Sequence, residues 1–275
     1  MIIENDLISI MQGRLSKPLN KPIQEFPLKT WQKEIELMPE LNINNLEWVV
    51  DQISYINNPI VFDNYNLEKY LYDKNITISA VSNDYFLDLA NSYSNISFEN
   101  LLSALSMQEE LVNKIGENKK YILVMPFIEN ASLKYYEPKQ VEKLLNRLLS
   151  FESTFEIDFA LELDINYKEI KQKLGQFLGK QIFINLDVGN AVSFGFNIKQ
   201  EIFEMSKFIL NVHLKDRKVG GPTMPLGYGD TNIQEIIKML KKSEYKGKYT
   251  LQFARNFEDD FKTIKNYLHT LSTYE

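Results

Sequence analysis

The stretch ILNVHLKDRKVGGPTMPLGYGDTNIQEIIKMLKKSEYKG (209–247) passes from an apolar alternation, through a glycine-bearing loop, into a helical stripe. In 209–215, Val212 and Leu214 alternate with Asn211, His213 and Lys215, a period of two that predicts a strand with one polar face. In 231–243, Ile233, Ile236, Ile237 and Leu240 recur at helical spacing, and Gly247 follows as a stop signal. The next run, YTLQFA (249–254), is strand-like again.

The same unit recurs along the chain. Strands are predicted at 7–13, 44–49, 76–82, 121–127, 159–164, 182–188, 209–215 and 249–254. Helical patterns lie between and after them at 29–40, 62–73, 97–117, 137–153, 167–178, 197–207, 231–243 and 257–272. Eight β–α alternations, with no dinucleotide-type glycine fingerprint after the first strand, predict an α/β fold of the (β/α)8 TIM-barrel type, a single domain over 1–275. A doubly wound open sheet is the alternative. The connection 83–100 is long, and reads as an active-site loop rather than a linker.

Composition narrows the function classes. Of 275 residues, 44% are hydrophobic and 25% charged, enough for a real core. There is no cysteine, which excludes disulfides, thiolate metal sites and a cysteine nucleophile. No apolar run reaches the length of a membrane span, and the start, MIIENDLISIMQGRL, lacks a basic signal-peptide region. The expectation is a cytoplasmic protein. A net charge of −6 argues against a nucleic-acid partner.

Strand parity then sorts the polar residues. One face of five strands carries Glu47, Glu162, Asp187, His213 and Gln252 near the C-terminal ends, where barrel enzymes place their sites. Buried carboxylates are costly unless paired. A divalent cation held by Glu162, Asp187 and His213, with Gln252 as a neutral fourth ligand, would pair them; oxygen ligands plus one imidazole suit manganese, cobalt, zinc or magnesium alike. Taken singly, each has a plainer reading: His213 and Gln252 as hydrogen-bonded core residues, and LELD as a strand end capping the next helix.

At these residues the chain resembles the sugar phosphate isomerase/epimerase family, the xylose-isomerase-like barrels that include L-ribulose-5-phosphate 3-epimerase. The matching pieces are LELD (161–164), LDVGNAVSFG (186–195), VHLKDRKVGGPTMPLGYGD (212–230) and GKYTLQFAR (247–255), with MQGRL (11–15) and LEWVVD (46–51) at the amino-terminal end. The resemblance covers nearly the whole chain in order. It implies that Glu162, Asp187 and His213 are metal ligands and that Glu162 also moves a proton. The chain departs from the family pattern twice: Gln252 stands where the family has a glutamate, and PLGYGD has Tyr228 in a glutamate's place. Glutamine can ligate a metal through its carbonyl oxygen but does not shuttle a proton at neutral pH.

The resemblance implies metal-dependent isomerisation or epimerisation of a small sugar, sugar phosphate or keto-polyol through an enediolate. Inosose-type dehydration on the same scaffold is the alternative, as is a sugar-binding barrel without turnover, motivated by Gln252. The endonuclease IV branch would need more than two histidines. Lys215 and Glu47 are the candidates for a second acid–base group. Gln12, Arg14, Arg217 and Arg255 are the candidate substrate contacts, and the loop DRKVGGPT has the composition of an anion-closing loop. The family implies a homodimer or homotetramer.

Overall fold

A computed structural model describes residues 3–17, 24–62, 65–116, 120–151, 156–255 and 260–274. Eight parallel strands close into one barrel: β1 (Ile8–Met11), β2 (Asn45–Val50), β3 (Thr77–Asn83), β4 (Ile122–Phe127), β5 (Asp158–Leu163), β6 (Ile182–Asp187), β7 (Ile209–Leu214) and β10 (Lys248–Leu251). Between the last two, β8 (Asp216–Arg217) and β9 (Thr223–Met224) form a small antiparallel hairpin. The strand order β1-β10-β7-β6-β5-β4-β3-β2 is sequential around the ring, as a barrel requires and an open doubly wound sheet does not show. All eight predicted strands are present.

Helices follow the strands: α1 (Trp31–Leu37), α2 (Leu67–Asp73), α3 (Asp84–Asn91), α4 (Phe98–Ser106), α5 (Glu109–Ile115), α6 (Pro138–Leu149), α7 (Tyr167–Leu174), α8 (Val188–Ser193), α9 (Ile198–Met205), α10 (Ile233–Lys242) and α11 (Asp260–Thr273). Period-two patterning divides the core into two layers. Ala80, Val124 and Ala160 form a small apolar cluster with Ile122 inside the ring. Residues of the other parity pack beneath the helices: Trp48 lies edge-on to Trp31 with ring centroids 5.7 Å apart, and its indole N–H donates to Asn58 Oδ1 at 2.8 Å. The predicted stripe of α10 is buried in full, Ile233, Ile236, Ile237 and Leu240, each contributing about 1.5–3 kcal/mol.

Three expectations change. The segment 83–100 is not an open loop, because it contains α3. Asn83 caps that helix by accepting from Phe86 N at 3.2 Å, and Phe86 and Ala90, one turn apart, are buried. The pattern at 97–117 divides into α4 and α5 because Gln108 turns inward, donating to Ala104 O at 2.9 Å and accepting from Asn83 Nδ2 at 3.1 Å. Gly247 does not stop α10. The left-handed residue after the helix is Glu244, and a Cβ on Gly247 would lie 2.4 Å from Leu210 O, so glycine there permits close approach to β7. Positions 63–64, 117, 152–153 and 257–259 of the helical patterns lie outside the described residues. Among the described residues no helix is long and apolar enough to cross a membrane.

Candidate active site and metal centre

Parallel pairing brings the polar positions of β5, β6 and β7 to one end of the barrel. Glu162 is level with Asn185, and Asp187 with His213. One ligand atom from each of Glu162, Asp187 and His213 lies within 4.8 Å of the others, and all three residues are buried. His213 Nδ1 is 3.5 Å from Glu162 Oε2. Gln252 sits two residues beyond Thr250, whose hydroxyl points inward, and its own N–H continues the pairing to Leu214 O at 3.0 Å. Its Oε1 is buried and, among the described residues, accepts no hydrogen bond. Two carboxylates, an imidazole and an orphaned carbonyl oxygen suit a divalent cation.

The centre rests on a buried polar frame. His213 Nε2 meets Glu47 Oε1 at 2.8 Å; Glu47 Oε2 accepts from Asn211 at 2.9 Å and from the Thr250 hydroxyl at 2.7 Å. This pairing turns Nδ1 of His213 toward Glu162 and Asp187, the arrangement in which a carboxylate fixes a ligating histidine. The expectation that Glu47 is an acid–base group is therefore not met. It is fully buried, and His213, Asn211 and Thr250 occupy both its oxygens, so it orients the imidazole.

Asn190, on α8, joins the two acidic ligands. Its side chain donates to Glu162 Oε1 at 2.7 Å, and its backbone N–H donates to Asp187 Oδ1 at 2.8 Å, so Asp187 caps α8. Arg217 Nη1 in turn donates to Asn190 Oδ1 at 2.6 Å, while its Nη2 and Nε donate to Gly221 O. Composition suggested Arg217 as an open loop contact for substrate; the fold instead uses it to clamp the hairpin and to orient Asn190. Gly189 lets α8 press on the end of β7, since a Cβ there would lie 2.6 Å from Lys215 O. Asp216 organises the following loop by accepting from the backbone of Gly227, Gly229 and Thr231 at 2.8, 2.9 and 3.2 Å. Tyr228 is exposed on that loop.

Charge follows from this packing. Burial pushes the Glu162 carboxyl up, but the hydrogen bond and charge of His213, the charge of Lys215 and the Asn190 amide outweigh it and hold the group below the usual carboxylate range. Burial raises Asp187, against the opposing charge of Lys215, whose ammonium is 2.6 Å from Asp187 Oδ2. Burial presses His213 down, but Glu47 and Glu162 lift it to about 10, so the metal-free centre holds an imidazolium between two carboxylates.

Gln12 and Arg14 leave the end of β1, and Arg255 follows β10, so both arginines are on the rim. Gln12 Oε1 accepts from Val49 N at 3.0 Å. Arg255 pairs with Asp260 at 3.2 Å and donates to Ser16 O. Sequence reasoning assigned no role to Asn185, Asn190, Asn211 or Thr250. Three of them shared the polar parity of the ligands, which was the available signal; Asn190, in a helical turn, carried none.

No protein-family model matches the chain, and no curated protein sequence matches it. Solved structures match its fold over nearly its full length. One is the probable 3-DHS dehydratase AsbF involved in petrobactin synthesis from Bacillus anthracis, at TM-score 0.67, 14% identity, and coverage of 98% of this chain and 99% of that one. Another is a D-tagatose 3-epimerase-like protein, at TM-score 0.61, 18% identity, and coverage of 96% and 98%. A third is a xylose isomerase-like TIM barrel protein from Mycobacterium smegmatis in complex with magnesium, at TM-score 0.53, 15% identity, and coverage of 95% and 98%. The fold is that of the xylose isomerase-like barrels.

Proposed function

We propose that this chain is a divalent-metal-dependent enzyme that isomerises or epimerises a small sugar or related polyhydroxy ketone. The observation that carries the reading is the convergence of Glu162, Asp187 and His213, with the orphaned Oε1 of Gln252 beside their strands. These four residues would hold the metal, which when bound supplies a Lewis acid that polarises the substrate carbonyl.

The chain's own residues supply the proton chemistry. Glu162 stays ionised and is the base that takes the proton from the carbon next to the carbonyl. Asn190 fixes its Oε1, and through Asn190 the hairpin residue Arg217 helps aim it. Glu47 keeps His213 in one orientation and takes no part in proton transfer. Lys215, two residues beyond His213, is the candidate for a second proton donor. It is ion-paired with Asp187, so ligation of Asp187 would release its ammonium toward the mouth. With glutamine at position 252, one-base transfer between neighbouring carbons is favoured over transfer by two glutamates. The fold it shares with a dehydratase and an epimerase-like protein supports chemistry that starts from proton abstraction beside a carbonyl.

The test is metal analysis combined with solvent-deuterium incorporation over a panel of ketoses and ketose phosphates. The expected result is metal-dependent exchange that Glu162→Gln abolishes. Exchange at the wild-type rate in Glu162→Gln would remove Glu162 as the base, and a protein that binds no divalent ion would end the metal reading.

A further inference from the structure

One level of the ring is a continuous row of polar side chains. Strand register sets Glu162, Asn185 and Asn211 level with one another on β5, β6 and β7. Asn185 and Asn211 are buried, and their amides join side chain to side chain. Asn211 Nδ2 donates to Glu47 Oε2 and to Asn185 Oδ1, both at 2.9 Å. Asn185 Nδ2 donates to Glu162 Oε2 at 3.3 Å and lies 3.2 Å from His213 Nδ1, so this one amide rests against two candidate ligands. The row runs from one carboxylate to another: Glu47, Asn211, Asn185, Glu162.

The two ends of the row fix the direction of both amides. Glu47 Oε2 is an acceptor, so Asn211 turns its NH2 toward it, and the second N–H of that group meets Asn185 Oδ1. The Asn185 NH2 is then left facing Glu162. Turning either amide over would set a carbonyl against a carboxylate in a buried site, where such a pair is costly. Asn190 donates to the other oxygen, Glu162 Oε1, at 2.7 Å. Each oxygen of Glu162 thus holds one amide N–H, and a rotation that exchanged the oxygens would break both bonds. We infer that Asn185 and Asn211 are positioning residues: they form a relay of fixed polarity that carries the orientation of Glu47 to Glu162 and, with Asn190, holds its carboxylate in one plane. This rests on the reading of Glu162 as metal ligand and base. A carboxylate so held keeps one oxygen for each task. Asn211 takes part from a distance, since its side-chain bonds among the described residues reach Glu47, Asn185 and Thr250 and no candidate ligand.

Neutron diffraction from crystals of the metal-free wild-type protein locates amide hydrogens and needs neither a variant nor a metal. The Asn211 amide nitrogen should face Glu47 and Asn185, and the Asn185 amide nitrogen should face Glu162; either amide reversed would overturn the relay. Calorimetric titration with manganese then reads the coupling. Asn185→Ala should weaken binding about 10–100-fold, and Asn211→Ala about tenfold. Adding Asn211→Ala to Asn185→Ala should weaken it less than about twofold further, because the effect of Asn211 travels through Asn185. Fully multiplicative losses would mean that Asn211 acts by another route, and would end the relay. Visible absorption of the cobalt-loaded protein separates positioning from bare stability. Both single variants should share one altered spectrum, since each frees the same carboxylate, whereas spectra identical to wild type would leave the amides a purely structural role and overturn the inference. Where an alanine variant fails to fold, or wild type binds no divalent ion, the neutron structure alone decides the relay; the second case also ends the metal reading.

Discussion

Glu47→Gln probes the frame beneath the centre with one atom changed. Glu47 accepts from three groups: His213 Nε2 at 2.8 Å, Asn211 Nδ2 at 2.9 Å and Thr250 Oγ1 at 2.7 Å. A glutamine has one accepting oxygen. If that oxygen stays with Asn211 and Thr250, its NH2 faces His213 Nε2, which must give up its proton, so the imidazole carries hydrogen on Nδ1, the nitrogen that faces Glu162. If the amide flips, its NH2 opposes the Asn211 amide. The first arrangement avoids a donor conflict only by placing hydrogen on the ligating nitrogen, and the second leaves one buried donor conflict, worth about 1–3 kcal/mol. Losing the charge weakens proton and metal binding at the ring together, so those two changes largely offset at fixed pH, and the orientation effect remains. The expected result is metal affinity about 10–100-fold lower, equivalent to about 1.4–2.7 kcal/mol. Calorimetric titration measures this. NMR of the ring protons gives an independent readout, since the chain has only two histidines and His269 is exposed. The His213 signals should titrate well below the value of about 10 in the parent protein. Metal affinity equal to or tighter than wild type, with an unchanged histidine titration, would refute the orienting role.

Other outcomes follow from the same geometry. Loading metal at neutral pH should release about one proton, because the imidazolium of His213 must lose the hydrogen on its ligating nitrogen; titration in buffers of different ionisation enthalpy counts it. Gln252→Glu should retain metal binding and gain exchange on the second face of the substrate, and isotope incorporation at the epimerised carbon reads this. Glu201, on α9, is buried, and burial, opposed by its bond to Tyr167 N and aided by Glu169, raises its pKa to about 6. A raised carboxyl destabilises the fold where it is ionised, above about pH 6, and not below about pH 4.5, where it is protonated folded or unfolded. Glu201→Gln keeps the acceptor for Tyr167 N, so it should raise Tm at pH 7 and leave it unchanged at pH 4, as thermal melts at the two pH values would show.

The strands were legible because barrel strands alternate strictly, and parity alone placed Glu162, Asp187, His213 and Gln252 on one face. The same rule put Glu47 with them but could not give depth. Whether an inward carboxylate meets substrate or lies beneath a ligand depends on the reach of side chains across the ring, here from β2 to Asn211, His213 and Thr250. Asn190 was illegible for a related reason: it acts from the first turn of a short helix, where no period marks it. The helix hidden in 83–100 was missed because its apolar stripe is narrow, with Phe86 and Ala90 its buried residues. The positive loop residues read alike in sequence, yet the fold ties Arg217 to Gly221 and Asn190, and buries Arg14.

The close approach at Gly189 bears on how far apart two of the candidate ligands stand. Asp187 begins the helix that Gly189 presses against Lys215, and His213 is two residues before Lys215, so the gap between these two ligands is set by a side chain that is not there. Magnesium prefers ligand distances of about 2.0–2.1 Å, and calcium about 2.3–2.6 Å. A methyl group at position 189 would have to push the two backbones apart to fit. The spacing of Asp187 and His213 thus depends on a residue outside the candidate ligand set, a glycine whose missing Cβ lets α8 meet Lys215.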